Sequence, residues 1–380
     1  MRTGPNIAIV SIADGSLALY ALSLGIPLCR AAGPNSVLVI PTTAKQMWEA
    51  CGQHWPTDID IQTFDFRGIP SKVAALLRLV FVLRRHNVDI VHDVAGTVSR
   101  ATWPFWVLIS VFAELYITEH EPLPHERQRR FMDRFVRRVA DVFSTGIFVH
   151  GQRSARKLKE RGCASRKIHV VRHGAYAAYG LPSNDEPSGP PSALVFGRLR
   201  PNKGYDRLPE IVRRTKEAIP DAEFVVAGSR GIAAGKSDLV KWHSQLDEIF
   251  REIGAFPGVT VHDRFIADSE VAKYFKESTV ALLPYKSASE SGVLAVAAAL
   301  AVPSVVTDVG DLAETVEKFG IGIVAANDSA SIADKLIELL SSSQTRKAIR
   351  QRCLEFVSHS GHWSEIAREY LEFHTGVRRG

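Results

Sequence analysis

Cysteine is scarce in this chain. Four cysteines occur in 380 residues, and none of them stands in a Cys-x-x-Cys pair. This spacing excludes zinc ribbons and a disulfide framework as the basis of the fold. A chain without a disulfide framework suits a reducing compartment, so we expect a cytoplasmic protein. Only a short apolar run precedes Asp14, which predicts a first strand and not a signal peptide.

Long hydrophobic runs are also missing. The segment most similar to a membrane-spanning run is 101–118. Pro104 and Glu114 interrupt this segment, and it is shorter than the ~20 residues that a bilayer requires. We predict a buried helix that runs into a buried strand. Apolar residues make up 46% of the chain and charged residues 23%, as in globular proteins. A globular chain of this length predicts two domains.

Several binding motifs are absent as well. The first strand is not followed by Gly-x-Gly-x-x-Gly, which excludes the dinucleotide fingerprint. Helix-turn-helix, RRM and zinc-finger patterns are missing, so no nucleic-acid partner is predicted. Asp58-Ile59-Asp60 spells Asp-x-Asp, a pattern that can bind metal, but it lies in a strand-like run without further ligands. We predict surface carboxylates there and no metal site.

Short apolar runs alternate with longer helical patterns through the whole chain. The predicted strands are 7–12, 36–40, 88–92, 115–118, 146–149, 168–171, 193–197, 223–228, 259–262, 280–284 and 304–307. The alternation predicts α/β domains with doubly wound, Rossmann-like parallel sheets. A stretch rich in Pro, Gly and Ser follows Tyr176 and predicts a linker. The predicted boundaries are 1–178, a linker at 179–191, a second domain at 192–362, and a last helix at 363–380 that returns to the first domain.

The most informative stretch is residues 284–314, where a polar turn leads into an alanine-rich run. Ser and Glu residues precede the run at 293–302 and Pro303 ends it, so we predict a buried helix that begins near Ser291. The first amides of a helix lack intrahelical partners and lie at the positive end of its dipole. Gly292 lets a ligand approach the backbone, so this helix start predicts an anion site. Residues 308–311 are predicted as a turn.

A basic loop follows the strand at 193–197 and supplies Arg198, Arg200 and Lys203. The guanidinium of Arg198 is a planar fork of donors and the ammonium of Lys203 is a compact charge, and together they suit a diphosphate. In a doubly wound sheet, this loop and the helix start near Ser291 lie at the same rim. The two segments therefore predict one diphosphate site.

These segments resemble the glycosyl transferases group 1, which are retaining enzymes of the GT-B fold with a Glu-x7-Glu motif. The segment GRLRPNKG at 197–204 is similar to the family's Gly-Arg-Leu…Lys-Gly segment. The segment ESGVLAVAAALAVPSVVTDVGDLAE, which begins at Glu290, is similar to its Glu…Pro-Val-Val…Gly-Gly…Glu segment. Shorter segments that are similar to the family's sequences lie at 118–121, 149–151, 173–174 and 224–228. The resemblance implies two Rossmann-like domains that face a cleft.

The resemblance also implies a reaction and a set of roles. A sugar would move from a UDP- or GDP-linked donor to a saccharide acceptor, in polysaccharide or glycoconjugate biosynthesis. It implies no cofactor beyond the nucleotide sugar and no catalytic metal. The catalytic residues would be His120, Arg198, Lys203 and Glu290, and the nucleotide sugar would also contact Gly15, Phe265, Ile266, Ser291, Gly292 and Val293.

One part of the family pattern is missing. The second Glu of the motif falls at Ala297 or Ala298, or at Val296 if the segments are aligned on Pro303. The ribose must then be held in another way. Two alternatives stay open: a sugar-nucleotide epimerase of the same layout, and a non-catalytic sugar-nucleotide-binding subunit.

Positive charge is concentrated in the first half of the chain. Residues 1–180 hold 23 Lys and Arg against 14 Asp and Glu, which leaves 24 against 27 in the remainder. An amphipathic segment at 127–139 places Phe131, Phe135 and Val139 on one face. We therefore expect the first domain to hold the acceptor, a lipid-linked saccharide, and to contact the anionic inner face of a membrane. The cationic residues of the segment are Arg129, Arg130, Arg134, Arg137 and Arg138.

Overall fold

The computed structural model describes residues 4–65, 69–96, 102–122, 131–183, 185–231 and 237–376. The chain divides into two compact units, one formed by Met1–Gly174 with Ser360–Gly380 and the other by Ala175–His359. The segment expected as a linker lies in the second unit. Within that unit, the Glu186 carboxylate forms a two-bond ion pair with the Arg346 guanidinium at 2.9 and 3.0 Å.

The first unit is built on a seven-stranded parallel sheet of order β3-β2-β1-β4-β5-β6-β7. Its strands are β1 (Ile7–Val10), β2 (Val37–Pro41), β3 (Asp60–Phe64), β4 (Ile90–Asp93), β5 (Glu114–Thr118), β6 (Gly146–Val149) and β7 (Ile168–Val170). Its helices are α1 (Ser16–Ala31), α2 (Thr43–Ala50), α3 (Ile69–Arg85), α4 (Trp103–Ile109), α5 (Phe131–Phe143), α6 (Gln152–Glu160) and, from the end of the chain, α14 (Trp363–Thr375).

The second unit contains a six-stranded parallel sheet of order β10-β9-β8-β11-β12-β13. Its strands are β8 (Ser192–Phe196), β9 (Glu223–Gly228), β10 (Val259–Asp263), β11 (Val280–Leu283), β12 (Ser304–Thr307) and β13 (Gly322–Ala325). Its helices are α7 (Leu208–Ala218), α8 (Ser237–Ile253), α9 (Asp268–Lys276), α10 (Gly292–Ala299), α11 (Gly310–Phe319), α12 (Ser329–Ser341) and α13 (Ser343–Ser358).

Each sheet reverses its strand order once. The chain moves outward from β1 to β3 and returns to place β4 beside β1, and in the same way β11 returns beside β8. Loops that follow the strands on either side of such a reversal border a crevice where doubly wound proteins bind ligands. In the second unit these are the loops after β8 and β11, which the sequence predicts as one site.

The structure differs from the sequence prediction in several details. Residues 310 and 311 begin α11 instead of completing a turn, because Gly310 has a positive φ of 54° and the Asp311 amide donates to the Ser289 carbonyl. Helix α10 ends at Ala299, since Ala301 adopts a φ of 55° and the residue before Pro303 disfavours helical geometry. Strand β13 is missed because its apolar run is short and begins at a glycine.

The segment at 101–118 forms α4 followed by β5, so the predicted helix and strand are confirmed. Trp106 and Ile109 of α4 are buried, as are four residues of β5. In the part of the chain that the structure describes, none of the helices is both long enough and apolar enough to cross a bilayer.

Candidate functional site

The loops after β8 and β11 are joined directly in the second unit. The Lys286 amide donates to the Asn202 carbonyl at 2.9 Å, and the Asn202 side-chain amide donates to the Ser287 carbonyl at 3.2 Å. Gly204 has a φ of 75°, and a Cβ at this position would lie 1.9 Å from the Pro284 carbonyl oxygen. Any other residue would push the two loops apart, so the glycine is needed for this approach.

A buried tyrosine connects the two groups of the predicted diphosphate site. The Lys203 ammonium lies 3.5 Å from the centre of the Tyr285 ring. The Tyr285 hydroxyl is hydrogen bonded to the Ser291 hydroxyl at 3.1 Å, immediately before α10. Thr307 of β12 donates to the Tyr285 carbonyl at 2.6 Å and fixes the backbone. The structure therefore brings Lys203 and the α10 helix start to the same buried ring.

The first turn of α10 keeps its backbone donors available, whereas the Ser291 amide just before it is hydrogen bonded to the Glu290 carboxyl. Ser291 precedes the helix with extended backbone angles, and none of the described side chains caps it. The amides of Gly292 and Val293 lie in the first turn, where the helix offers them no carbonyl partner. Both residues are partly exposed, and a Cβ added to Gly197 would lie 3.4 Å from the Val293 side chain. The loop after β8 thus runs past the helix start.

Arg198 and Arg200 lie on the exposed side of the loop after β8. Between them, Leu199 is buried, and its carbonyl accepts a hydrogen bond of 2.8 Å from the Trp242 indole. This anchor fixes the loop while leaving the flanking guanidiniums in solvent.

Glu290 is a partly buried carboxyl beside the helix start. The Thr315 hydroxyl of α11 donates to its Oε1 atom at 3.0 Å. Burial, assisted by the negative charge of Asp311, raises the pKa of Glu290 to about 8, although the hydrogen bonds from Thr315 and the Ser291 amide oppose the shift. Glu290 is therefore protonated for much of the time at neutral pH and can donate a hydrogen bond.

The missing second Glu corresponds to positions inside α10. Val296, Ala297 and Ala298 are all buried. Their place in the core explains why apolar side chains are accepted there. Nothing in this stretch replaces a carboxylate.

Phe265 and Ile266 follow β10 at the edge of the same sheet, two strands from β8. Phe265 exposes 71% of its surface, whereas Ile266 is buried. The preceding Arg264 forms a two-bond ion pair with Glu270 at 2.9 and 2.6 Å. The Arg264–Glu270 ion pair thus stabilises the turn that carries the exposed Phe265 ring.

His120 lies after β5 in the first unit. Its Nε2 atom donates to the Val94 carbonyl at 2.9 Å, which leaves Nδ1 as the acceptor of the neutral ring. The Tyr20 ring meets it edge to face at 4.7 Å. Burial lowers the pKa of His120, and the nearby carboxylates oppose that shift. One of these, Glu119, is engaged by Arg161 at 2.7 and 2.8 Å.

Gly15 precedes α1 in the first unit and is exposed. Its φ of 69° and ψ of −137° favour glycine, and its carbonyl accepts hydrogen bonds from the Ala18 and Leu19 amides. A Cβ added here would meet nothing within 4 Å. The backbone is therefore open to a ligand at this point.

The predicted cationic segment is only partly described. Arg129 and Arg130 lie outside the described residues, as do the side chains of Phe131 and Arg134. Arg137 binds the Glu119 carboxylate and the Glu121 and Pro122 carbonyls, while Arg138 donates to the Gly162 carbonyl at 3.2 Å. These two arginines form contacts within the first unit and also contribute positive charge to its surface.

The carboxylates of the Asp-x-Asp pattern form surface contacts. Asp58 pairs with Arg30 through bonds of 2.7 and 2.9 Å. Asp60 lies 3.3 Å from the His86 ring. Both side chains are engaged by neighbouring residues of the first unit.

Sequence reasoning missed Tyr285 and Thr315. Tyr285 lies two residues after the end of β11, and this position at a strand end could have indicated a residue of the site. Thr315 lies in α11, a helix that the sequence prediction did not contain. Its contact with Glu290 could not be expected without that helix.

Comparison with known families identifies the core of the second unit. Residues 190–342 match a family model described as glycosyl transferases group 1. This match lies wholly within the second unit, which therefore resembles a glycosyl transferases group 1 domain. The match covers both loops of the candidate site and the whole of α10 and α11. No curated protein matches the sequence of the chain.

Solved structures resemble the chain over nearly its full length at low identity. HepE of Anabaena, solved in complex with UDP-glucose, has a TM-score of 0.71 at 16% identity, and the match covers 98% of this chain and 100% of that chain. Sucrose-phosphate synthase of Thermosynechococcus elongatus has a TM-score of 0.72 at 16% identity, with 98% and 99% covered. A putative UDP-N-acetylglucosamine 2-epimerase of Listeria monocytogenes has a TM-score of 0.60 at 14% identity, with 100% and 99% covered. This likeness confirms the predicted GT-B fold.

Proposed function

We propose that this protein is a retaining glycosyltransferase that moves a sugar from a UDP- or GDP-linked donor to a saccharide acceptor. The main support is the arrangement around Tyr285, which brings the Lys203 ammonium and the start of α10 to one buried ring. A cation beside unpartnered helix amides suits a diphosphate. The glycosyl transferases group 1 match over the same residues supports this function.

Charge stabilisation is the chemistry that these groups supply. When the bond between sugar and nucleotide breaks, negative charge grows on the leaving diphosphate. Lys203 and Arg198 would oppose that charge together with the amides of Gly292 and Val293, and such preorganised donors supply a large share of many rate enhancements. Protonated Glu290 would donate a hydrogen bond to a donor-sugar hydroxyl, and His120 would offer its Nδ1 atom as an acceptor.

The acceptor is assigned to the first unit, which holds the excess of positive charge. A lipid-linked saccharide at the inner face of a membrane suits this charge, so the proposed setting is cytoplasmic and peripheral to the membrane, in polysaccharide or glycoconjugate biosynthesis. The sugar-nucleotide epimerase remains a second candidate, because a putative epimerase shares the fold. A non-catalytic sugar-nucleotide-binding subunit is the third candidate. Its support is the buried alanines that stand in place of a second Glu.

A donor panel separates these functions. We expect slow release of UDP or GDP from one nucleotide sugar, and faster release when the right acceptor is added. The proposed diphosphate site supplies cations of its own in Lys203 and Arg198, so release should continue at the same rate in EDTA. Interconversion of two sugar nucleotides without release would identify the epimerase. Tight nucleotide binding without turnover would identify the non-catalytic subunit, and loss of release in EDTA that Mg²⁺ or Mn²⁺ restores would show a metal requirement.

Replacement of Thr315 by Val should shift the pH dependence of transfer. The hydroxyl stabilises the charged form of Glu290, so its loss should raise the pKa of Glu290 further and move the alkaline limb of kcat/KM to higher pH. Loss of one such hydrogen bond corresponds to about 1 kcal/mol. Thr315→Ser keeps the donor and should restore the profile.

Thr215→Val is the matched control. Thr215 is buried in α7 of the same unit, and its hydroxyl has no hydrogen-bond partner among the residues described. The profile of this variant should coincide with that of the wild type. If Thr315→Val also leaves the profile unchanged, Thr315 does not act through Glu290.

A further inference from the structure

The outer face of α3 combines exposed hydrophobic side chains with arginines. Leu77 and Phe81, one turn apart, expose 67% and 65% of their surface. Arg78, Arg84 and Arg85 are exposed on the same side of the helix. The opposite side packs into the core of the first unit through Ala75, Leu79, Val82 and Leu83. The exposed residues therefore do not serve the core.

The charge of this face has one sign. The sequence of α3 contains neither Asp nor Glu. Among the described residues, the Arg78 guanidinium lies 5.3 Å from the centre of the Phe64 ring, and the Arg84 guanidinium lies 4.1 Å from the centre of the Phe112 ring. Carboxylates near the end of α3 are engaged elsewhere: Asp60 lies 3.3 Å from His86, and Asp89 accepts the Asn6 amide at 2.9 Å.

The hydrophobic surface continues onto the segment after α4. Arg84 stacks on Phe112, and the residue before Phe112, Val111, exposes 79% of its surface. We call the surface formed by Leu77, Arg78, Phe81, Arg84, Arg85 and Val111 the α3 face. It places apolar side chains among guanidiniums, and this is the chemistry of a helix that lies in the interface of an anionic bilayer.

We propose that the α3 face docks on an anionic lipid bilayer, with Leu77 and Phe81 entering the interface and the arginines contacting lipid headgroups. The proposal rests on the membrane contact inferred above and names the surface that makes it. A second copy of the chain fits less well, because pairing two α3 faces would oppose like charges. The α5 arginines fit less well too, since Arg137 is occupied by Glu119.

The test is co-sedimentation with vesicles of phosphatidylcholine alone or with 30% phosphatidylglycerol, at low and high salt. Wild-type protein should bind the anionic vesicles at low salt and leave them at high salt. Arg84→Glu with Arg85→Glu should weaken binding by at least twentyfold, since each basic residue near such a surface contributes roughly fivefold. Leu77→Ser with Phe81→Ser should weaken binding about tenfold and also lower the residual binding at high salt.

The matched control is Arg156→Glu with Lys159→Glu on α6, which makes the same change in net charge at two exposed positions of the same unit. This variant should bind within about threefold of the wild type. Equal weakening by both charge reversals would show diffuse attraction and overturn the α3 face. Absence of binding by the wild type would overturn the membrane contact itself. A wild-type dimer that the Ser variant abolishes would assign the face to a second copy.

Nucleotide binding, measured by calorimetry with UDP and GDP on the same variants, separates this inference from the proposed reaction. The α3 variants should bind nucleotide like the wild type. If no nucleotide binds but the wild type and the variants bind anionic vesicles as expected, the transferase proposal is wrong and the α3 face is still supported as the docking surface.

Discussion

Acidification from pH 7 to pH 5 is expected to unfold the first unit. His92, His150 and His374 are buried there among aromatic rings. Burial lowers the pKa of all three, that of His374 to about 3. His120 and His173 of the same cluster follow this trend, since burial lowers the pKa of His120 and lowers that of His173 to about 3.

The sign follows from the unfolded chain, where each histidine titrates near pH 6.5. Below this pH the unfolded state binds protons that the folded state does not, so the free energy of unfolding falls as pH falls from 6.5 toward 3. Each buried histidine contributes about 1.4 kcal/mol per pH unit, and three contribute about 4 kcal/mol. Domains are stable by only ~5–15 kcal/mol, so a midpoint near pH 5 is expected.

Tryptophan fluorescence can follow this transition, since the first unit holds five of the six tryptophans, Trp48, Trp55, Trp103, Trp106 and Trp363. Replacing His374 by Phe should reduce the pH slope by about 1.4 kcal/mol per unit, because both ring nitrogens lack hydrogen-bond partners among the described residues. The exposed His54 supplies the control, and His54→Phe should leave the slope unchanged. A midpoint below pH 3.5 would contradict the expectation.

Removal of Lys203 or Arg198 is expected to weaken nucleotide-diphosphate binding strongly. Each forms a charge-assisted contact with phosphate in the proposed complex, which corresponds to ~1.5–3 kcal/mol, or roughly 10- to 150-fold in Kd. Lys203→Ala also removes the cation from the Tyr285 ring and should carry the larger loss. Titration calorimetry with UDP and GDP measures both effects.

Arg213→Ala is the control for these variants. Arg213 is exposed on α7 of the same unit, and its partner is Glu217 one turn away. Nucleotide affinity should not change in this variant. If Lys203→Ala and Arg198→Ala also bind like the wild type, the diphosphate does not lie between these loops.

The strands were predictable because a buried parallel strand leaves a short apolar run between turn residues. Every run predicted as a strand lies on a strand of the structure. Helices α2, α6 and α11 were missed. They are short, and α6 is mostly polar, with burial limited to Ser154, Ala155 and Leu158. Long-range packing, and not local pattern, determines where such helices form.

The site was predictable to the level of its loops but not of its contacts. Residue types and strand order suffice to place Lys203 and Ser291 at one rim, since adjacent parallel strands end together. The contact of both residues with Tyr285 depends on side-chain packing across the two loops. The raised pKa of Glu290 depends on Asp311 and on burial, which the sequence does not display.

Helix α14 follows the second unit in the sequence but belongs to the first unit. Its Tyr370 hydroxyl is hydrogen bonded at 2.8 Å to the hydroxyl of Tyr20 on α1, which is fully buried. During translation, α1 must wait for α14 while residues 32–362 are added, a delay of roughly 15–70 s at 5–20 residues per second. When the second unit is complete, the first unit still lacks α14. The nascent first unit is therefore the part of the chain that a chaperone would bind.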